Sequence, residues 1–399
     1  MDHLTLHSIL SCQFRANPDY ELVLFDRLPE EQKELLKGLE NERDFYGVLR
    51  PREAAGLGVK SVDRDTALLF LSLQQPGPLP AYVVRMNGSQ ANRAMAELVL
   101  SDVLQVAVDG TFASSAGAWN LICAEEPLSA EGGTIARLSL AALKYAQALQ
   151  LNDVQRLSAR LYFYNRAPLS PRWRRQLPTP EAVRCYLGIE DGGACRRVLE
   201  DNWSAIEAPP PADNWLQFQS RHRRPARTRG GYSHKLYVTP VCEQLPEVFP
   251  AVLEVLSRSA ADQFKIGRDA GGLLRPDKIV AYFGSLEGVE QAASRLAEGL
   301  AGCPAQGVPF TAQMTEDGLI SRGIDPPPDN ALPGWMERES WRLWVTNRLA
   351  TAILAATPER GGGMEPWQFA LRRMRLEGVD TATWTPSDRI WDGVAEGEG

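Results

Sequence analysis

The chain has 399 residues, 44% of them hydrophobic and 23% charged, with a formal net charge of −7. That composition belongs to a globular protein and not to a disordered one. The length exceeds what one hydrophobic core usually serves, and the negative balance disfavours non-specific nucleic-acid binding. No apolar run approaches the ~20 residues that cross a bilayer; Ala67 to Leu73 and Asn120 to Ala124 have the length of core strands. The N-terminus, Met1-Asp2-His3, lacks a basic region followed by an apolar stretch, so a cytoplasmic location is expected. The six cysteines form no C-x-x-C pair and only four histidines exist, so a zinc site is not expected.

Residues 28–40 read as a short helix, with Pro29 at its start and acidic residues in its first turn. Residues 60–73 hold a strand-like apolar run that ends at Gln74-Gln75-Pro76-Gly77-Pro78. Residues 90–108 and 137–150 read as helices; the second carries Leu138, Ala141, Ala142, Tyr145, Ala148 and Leu149 at helical spacing. Residues 159–165 alternate like a strand. Pro209, Pro210 and Pro211 then favour a stiff extended link, followed by arginines at 221, 223, 224, 227 and 229. Residues 1–206 are therefore expected to form an N-terminal accessory domain, α+β or mostly helical. Residues 207–230 form a Pro/Arg-rich linker and 231–399 a second domain.

In that second part, residues 233–239, 262–266 and 279–283 read as strands, and 308–312 and 319–322 as two shorter ones. Residues 245–258 read as a helix with Pro246 in its first turn and Pro250 straining it. A Gly-rich loop covers 267–274, an amphipathic helix 286–301, and Trp-rich helices the tail 335–386. The alternation predicts an α+β fold with a central mixed β-sheet flanked by helices.

Cations sit on these strands and at their mouths. Lys235 and Tyr237 share a face, and His234 points the other way. Lys265 lies mid-strand. Arg268, Arg275 and Lys278 surround the Gly-rich loop, and Arg322 lies in the last strand. A lysine in an apolar strand is costly to bury without a partner. Converging cations need an anion between them, and phosphate suits arginine forks and lysine point charges. Plainer readings stand beside this one. Lys265 equally suits an edge strand, Arg322 a surface pair with Asp325, and the tail tryptophans the core.

The order Lys235-Leu236-Tyr237, Phe264-Lys265, Arg268, Arg275-Pro276-Asp277-Lys278 and Ser321-Arg322-Gly323, within residues 232–327, resembles the phosphothreonine lyases. That family spans OspF-type effectors, the lyase domains of lanthipeptide synthetases and HopA-type effector domains. The resemblance covers about a quarter of the chain and lies in the order of the motifs. The histidine usual in the family is replaced by Tyr237, which brings the HopA-type branch nearest.

The resemblance implies β-elimination of phosphate from phospho-Ser or phospho-Thr, without metal or cofactor. It makes Lys265 the base and Tyr237 a candidate acid, with Lys235 beside them. Arg268, Arg275, Lys278 and Arg322 would bind phosphate. Lys265 must be neutral to act, so its pKa must fall below the usual ~10.4. Apart from the resemblance, the arginine cluster at 221–229 reads as a solvated linker or, alternatively, as a strip with Arg221, His222, Arg223 and Arg224 for docking an acidic or phosphorylated peptide. The implied substrate is a ribosomally made precursor peptide, as in lanthipeptide or thioamitide-type biosynthesis. The chain has no V-A-I-K, H-R-D or D-F-G signature, so a separate aminoglycoside-phosphotransferase-like kinase is expected as partner. The N-terminal part would dock that kinase or the leader peptide. A non-catalytic phosphopeptide-binding module and an effector-like lyase acting on a protein are the alternatives. Neither nucleic acid nor membrane is an expected partner.

Overall fold

A computed structural model describes residues 5–36, 44–52, 57–124, 132–206, 214–222, 233–327, 339–356, 363–387 and 390. The first part runs β1 (Gln13–Ala16), β2 (Tyr20–Leu24), α1 (Glu30–Leu35), β3 (Phe45–Pro51), β4 (Lys60–Asp63), α2 (Arg64–Ser72), β5 (Gly77–Pro78), α3 (Ala81–Asn87), α4 (Ala91–Leu100), β6 (Leu104–Val108), β7 (Thr111–Ala113), α5 (Trp119–Ile122), α6 (Thr134–Ala148) and α7 (Val154–Tyr162). Two small sheets, ordered β5-β1-β6-β7 and β2-β3-β4, are antiparallel at every pairing.

Three expected strands are helices here, for local reasons. The Asp63 carboxylate accepts from the Thr66 N–H at 2.7 Å and starts α2, so the apolar run expected as a strand within 60–73 is helix, and only Lys60–Asp63 (β4) is strand. Asp153 does the same for the Arg156 N–H at 2.6 Å and starts α7, converting the alternation at 159–165 into helix. Leu157 and Leu161, one turn apart, are its buried stripe. The run from Asn120 falls largely in the short helix α5.

The second part runs α8 (Pro171–Gln176), α9 (Pro180–Tyr186), α10 (Arg196–Asn202), β8 (Trp203–Ile206), β9 (Trp215–Ser220), β10 (His234–Val238), α11 (Leu245–Ser257), β11 (Ala261–Gly267), α12 (Ala270–Leu273), β12 (Ile279–Phe283), α13 (Leu286–Gly299), β13 (Ala312–Gln313), β14 (Ile320–Ile324), α14 (Trp341–Ala355), α15 (Pro366–Leu376), β15 (Val379–Asp380) and β16 (Thr385–Pro386). A seven-stranded sheet has the order β13-β14-β10-β12-β11-β9-β8. The class is α+β, as expected. Every pairing in this sheet is antiparallel, where the sequence reading had a mixed sheet. The Gly-rich loop contains α12, capped by the Asp269 carboxylate on the Gly272 N–H at 2.6 Å. In α11, Pro250 is tolerated one turn after Pro246, because Val248, Phe249, Val252, Leu253 and Leu256 bury the helix's apolar face.

Two hydrophobic cores organise the molecule. One gathers residues of α8–α10, one face of the large sheet, α11 and α13. The other joins the small sheets, α4, α6 and α7 to the C-terminal helices α14 and α15. This revises the expected division at 207–230. Strands β8 and β9, on either side of the prolines, are paired neighbours in one sheet. The tail helices pack on α7 and α6, not on the sheet's apolar face. Trp341, Trp344 and Trp384 are core residues. No described helix is long and apolar enough to cross a membrane.

Candidate active site

The face of the large sheet turned from α11 and α13 carries the polar side chains. Lys235 lies opposite Tyr282 on β12 and Gly323 on β14, and Tyr237 opposite Val280 and Ser321. Lys265 lies opposite Val280 and, on its other side, Gln217 of β9. Strand alternation therefore sets Lys235, Tyr237, Lys265, Tyr282 and Gln217 on one face. A cavity of about 210 Å³ opens there, lined by Gln217, Ser233, Gln263, Lys265, Tyr282 and Asp325 among others. Gly323 lets Trp341 close one side: a Cβ at 323 would meet Trp341 Cδ1 at 2.6 Å.

Lys265 is half-buried between two aromatic rings. Its Nζ lies 4.5 Å from the centre of the Trp215 indole and 5.7 Å from that of Tyr282. No carboxylate among the described residues lies within ion-pair distance of it. Burial pushes its pKa below the ordinary lysine value, with Arg275 adding to that effect and Tyr162 and Asp277 opposing it. Lys235 is a contrast. Its Nζ meets Asp325 Oδ1 at 2.5 Å, both side chains are buried, and the Trp341 N–H donates to the same oxygen at 3.0 Å. Tyr237 is buried beside Val280 and Val308. Burial pushes its phenol well above the ordinary value, so it stays protonated at neutral pH.

Behind Lys265, Asp277 is the hub of an internal charge network. Arg275 donates Nε to Oδ1 and Nη2 to Oδ2, each at 2.9 Å. Arg342 Nη1 lies 2.8 Å from Oδ2, and the Tyr162 hydroxyl donates to Oδ2 at 3.3 Å. Arg342 is only 1% exposed and also donates to the Tyr162 carbonyl at 2.6 Å. Burial pushes Asp277 up, but Arg342 and Arg275 together hold it well below the usual carboxylate range. The network thus joins the segment leading into β12 to α7 and α14.

The expected phosphate ligands separate on this geometry. Arg322 faces Leu236 on β10 and so lies on the opposite face, beside His234. Lys278 is fully buried and spent on the Pro240 carbonyl at 2.8 Å and the Gln306 amide oxygen; burial pushes it down to about 8. Arg268 is exposed at the end of β11, on the side of Glu181. Arg275 gives two N–H groups to Asp277. Arg221 donates to the Trp203 carbonyl at 2.9 Å, and His222 is exposed at the end of β9. Arg223, Arg224, Arg227 and Arg229 lie outside the described residues. Sequence reasoning missed Tyr162, Trp215, Asp277, Arg342 and the pairing of Asp325 with Lys235. Only the carboxylates carried a signal, since Asp277 and Asp325 stand next to the cationic motifs they neutralise.

The sequence matches no protein-family model and no curated protein. The structure is remotely similar to an effector protein from Pseudomonas syringae pv. tomato strain DC3000, at 11% identity and a TM-score of 0.38, over 63% of this chain and 98% of that one. It is similar to an effector protein from Pseudomonas syringae pv. syringae strain 61 at 12% identity and 0.36, with the same coverage. It also overlaps the type III effector and phosphothreonine lyase OspF from Shigella flexneri at 15% identity and 0.26, over 45% of this chain and 90% of that one. These likenesses are remote and concern the fold; the functional reading rests on the site itself.

Proposed function

We propose that the chain is a lyase that eliminates phosphate from a phosphorylated Ser or Thr residue of a peptide. The supporting observation is Lys265: an amine with a lowered pKa, held between Trp215 and Tyr282, open to a cavity and without a carboxylate partner among the described residues. A neutral amine of this kind removes the α-proton of the phosphorylated residue. The electrons of the Cα–H bond form the Cα=Cβ bond. The Cβ–O bond breaks, and the phosphate oxygen keeps the electron pair and takes a proton from the candidate acid Tyr237, so that hydrogen phosphate dianion leaves and the Tyr237 phenolate is reprotonated from solvent. Lys235, across Tyr282, and the ammonium formed at Lys265 balance the charge of the departing dianion. Tyr237 keeps its proton at neutral pH and is the candidate acid, although its raised pKa makes it a weak one. The step uses no metal or cofactor.

The substrate in this reading is a ribosomally made precursor peptide in the cytoplasm, phosphorylated by a separate kinase. The N-terminal sheets are the proposed docking region for the leader peptide or the kinase. The second reading, phosphopeptide binding without elimination, is favoured by the weakness of Tyr237 as an acid. Mass spectrometry of synthetic phosphoserine and phosphothreonine peptides separates the two. A dehydrated residue forms with the wild type and is lost with Lys265→Ala if the lyase reading holds. Binding with no dehydrated product from any phosphopeptide leaves the binding module.

A further inference from the structure

We infer that Asp325 is a specificity-determining residue of the cavity: it holds Lys235 on an internal carboxylate, so that only a doubly charged phosphate draws the ammonium away. The inference rests on the phosphate-eliminating reading of the same cavity. Asp325 and Lys265 both line that space. The two ammonium groups flank one ring, with Lys235 Nζ 5.4 Å and Lys265 Nζ 5.7 Å from the centre of Tyr282. Both ammonium groups thus lie close to Tyr282, which itself lines the cavity.

The carboxylate is the fixed partner of the pair. Its Oδ1 takes the Trp341 N–H at 3.0 Å, and its own N–H donates to the Ser233 carbonyl at 3.2 Å. Lysine carries its charge on a flexible four-carbon stem. Exchange accordingly moves the ammonium and leaves the aspartate in place.

Charge decides which ligands achieve that exchange. Asp325 is tethered beside Lys235, so it competes at a high effective concentration. A ligand carboxylate brings the same single charge, gains nothing from the exchange and is repelled by Asp325. A phosphate dianion brings twice the charge and reaches Lys265 as well. The filter thereby separates a phosphorylated residue from a glutamate or aspartate at the same place in a peptide. A purely architectural ion pair predicts instead that removing its acid lowers stability, because it leaves a buried ammonium uncompensated, without admitting a glutamate peptide.

The test compares full-length wild type, Asp325→Asn and Lys235→Met. Each is titrated with inorganic phosphate, with a peptide carrying a phosphonate analogue of phosphothreonine, which cannot eliminate, and with the same peptide carrying glutamate. Asp325→Asn keeps an acceptor for the Trp341 N–H. It is expected to bind phosphate and the phosphonate peptide on the order of tenfold more tightly than wild type, and to accept the glutamate peptide that wild type rejects. Lys235→Met is expected to weaken binding of the phosphonate peptide. Unchanged or weaker binding by Asp325→Asn overturns the inference. If circular dichroism shows that variant to be unfolded, ammonium NMR of lysine-labelled wild type decides instead. The Lys235 signal moves on addition of phosphate if the exchange occurs, and a stationary signal overturns it. Dehydration of a phosphothreonine peptide by wild type is measured in parallel. No dehydration with an intact filter sinks the lyase reading alone, and dehydration with no effect of Asp325→Asn sinks the filter alone.

Discussion

Lys265 and Arg275 lie over the same indole, Trp215, at 4.5 and 4.7 Å, yet their surroundings differ. Arg275 is bidentate to Asp277, whose other contacts are Arg342 and Tyr162. Lys265 has aromatic faces and a cavity, with no carboxylate in ion-pair range among the described residues. One cation is built into the scaffold; the other, in the proposed reading, serves ligand binding or proton transfer. A count of positive side chains in a motif does not distinguish them. What distinguishes them is where the compensating acid lies.

The sharpest way to break this contrast is to replace both residues in turn. Lys265→Met should lower turnover on a phosphothreonine peptide by about 10²- to 10⁴-fold, the usual share of a general base. Steady-state assays of dehydrated product check this, and a loss under tenfold would remove Lys265 from the chemistry. Asp277→Ala should instead attack folding. It strands the buried Arg342 and the partly buried Arg275, and removing one partner of a buried pair costs about 3–5 kcal/mol. Urea denaturation reads that loss. A variant as stable as wild type would show that the hub is not holding α7 and α14 to the sheet.

The two sites should also answer pH in different windows. Lys265 has a lowered pKa in the folded state, so activity that needs its neutral amine rises with pH through a value below the ordinary ~10.4. A kcat/KM profile whose ascending limb lies at or above ~10.4 contradicts that. The unfolded chain holds this proton more tightly, so stability rises with pH from the folded pKa towards the unfolded one. Asp277 is depressed, so its contribution is complete above the unfolded value near ~3.9 and is lost as pH falls below it. Because Lys265 costs stability while charged, Lys265→Met should gain about 1 kcal/mol at neutral pH while losing activity. Thermal melts measure that gain, and a lower melting temperature would show Lys265 to be structural.

The legible part of the sequence was its strand rhythm. Lys235-Leu236-Tyr237 and Phe264-Lys265 fix which side chains share a face by period two alone, and the opposed orientation of His234 followed from the same rule. The same rule alone could not place Arg322. Its face depends on the register of β14 against β10, where it meets Leu236, and register is a long-range property. Tyr162 and Arg342 were invisible for a different reason. They reach Asp277 from helices at sequence separations that no local motif encodes, and α7 itself was hidden because its cap, Asp153, lies outside the stretch that alternates. Lys278 was misjudged because its partners, Pro240 and Gln306, lie on connecting segments without any pattern.

The smallest expected effect gives the most selective check on the geometry. Arg322 belongs to the family-like order of motifs but projects on the opposite face from Lys235 and Lys265, where burial lowers its pKa and Glu290 is its opposing charge. If motif order governs function, Arg322→Ala should raise KM for a phosphopeptide by the amount that loss of a charged phosphate contact brings, on the order of tenfold or more. If the sheet's alternation governs it, KM stays within about twofold and any change appears in stability, within roughly ±0.5 to 1 kcal/mol for a half-buried side chain without a buried partner. Arg268→Ala, exposed at the end of β11, should behave likewise. The geometry requires both variants to remain active while Lys265→Met does not. A large KM effect at Arg322 would mean that substrate binds on the α13 side of the sheet, and the cavity over Tyr282 would lose its claim.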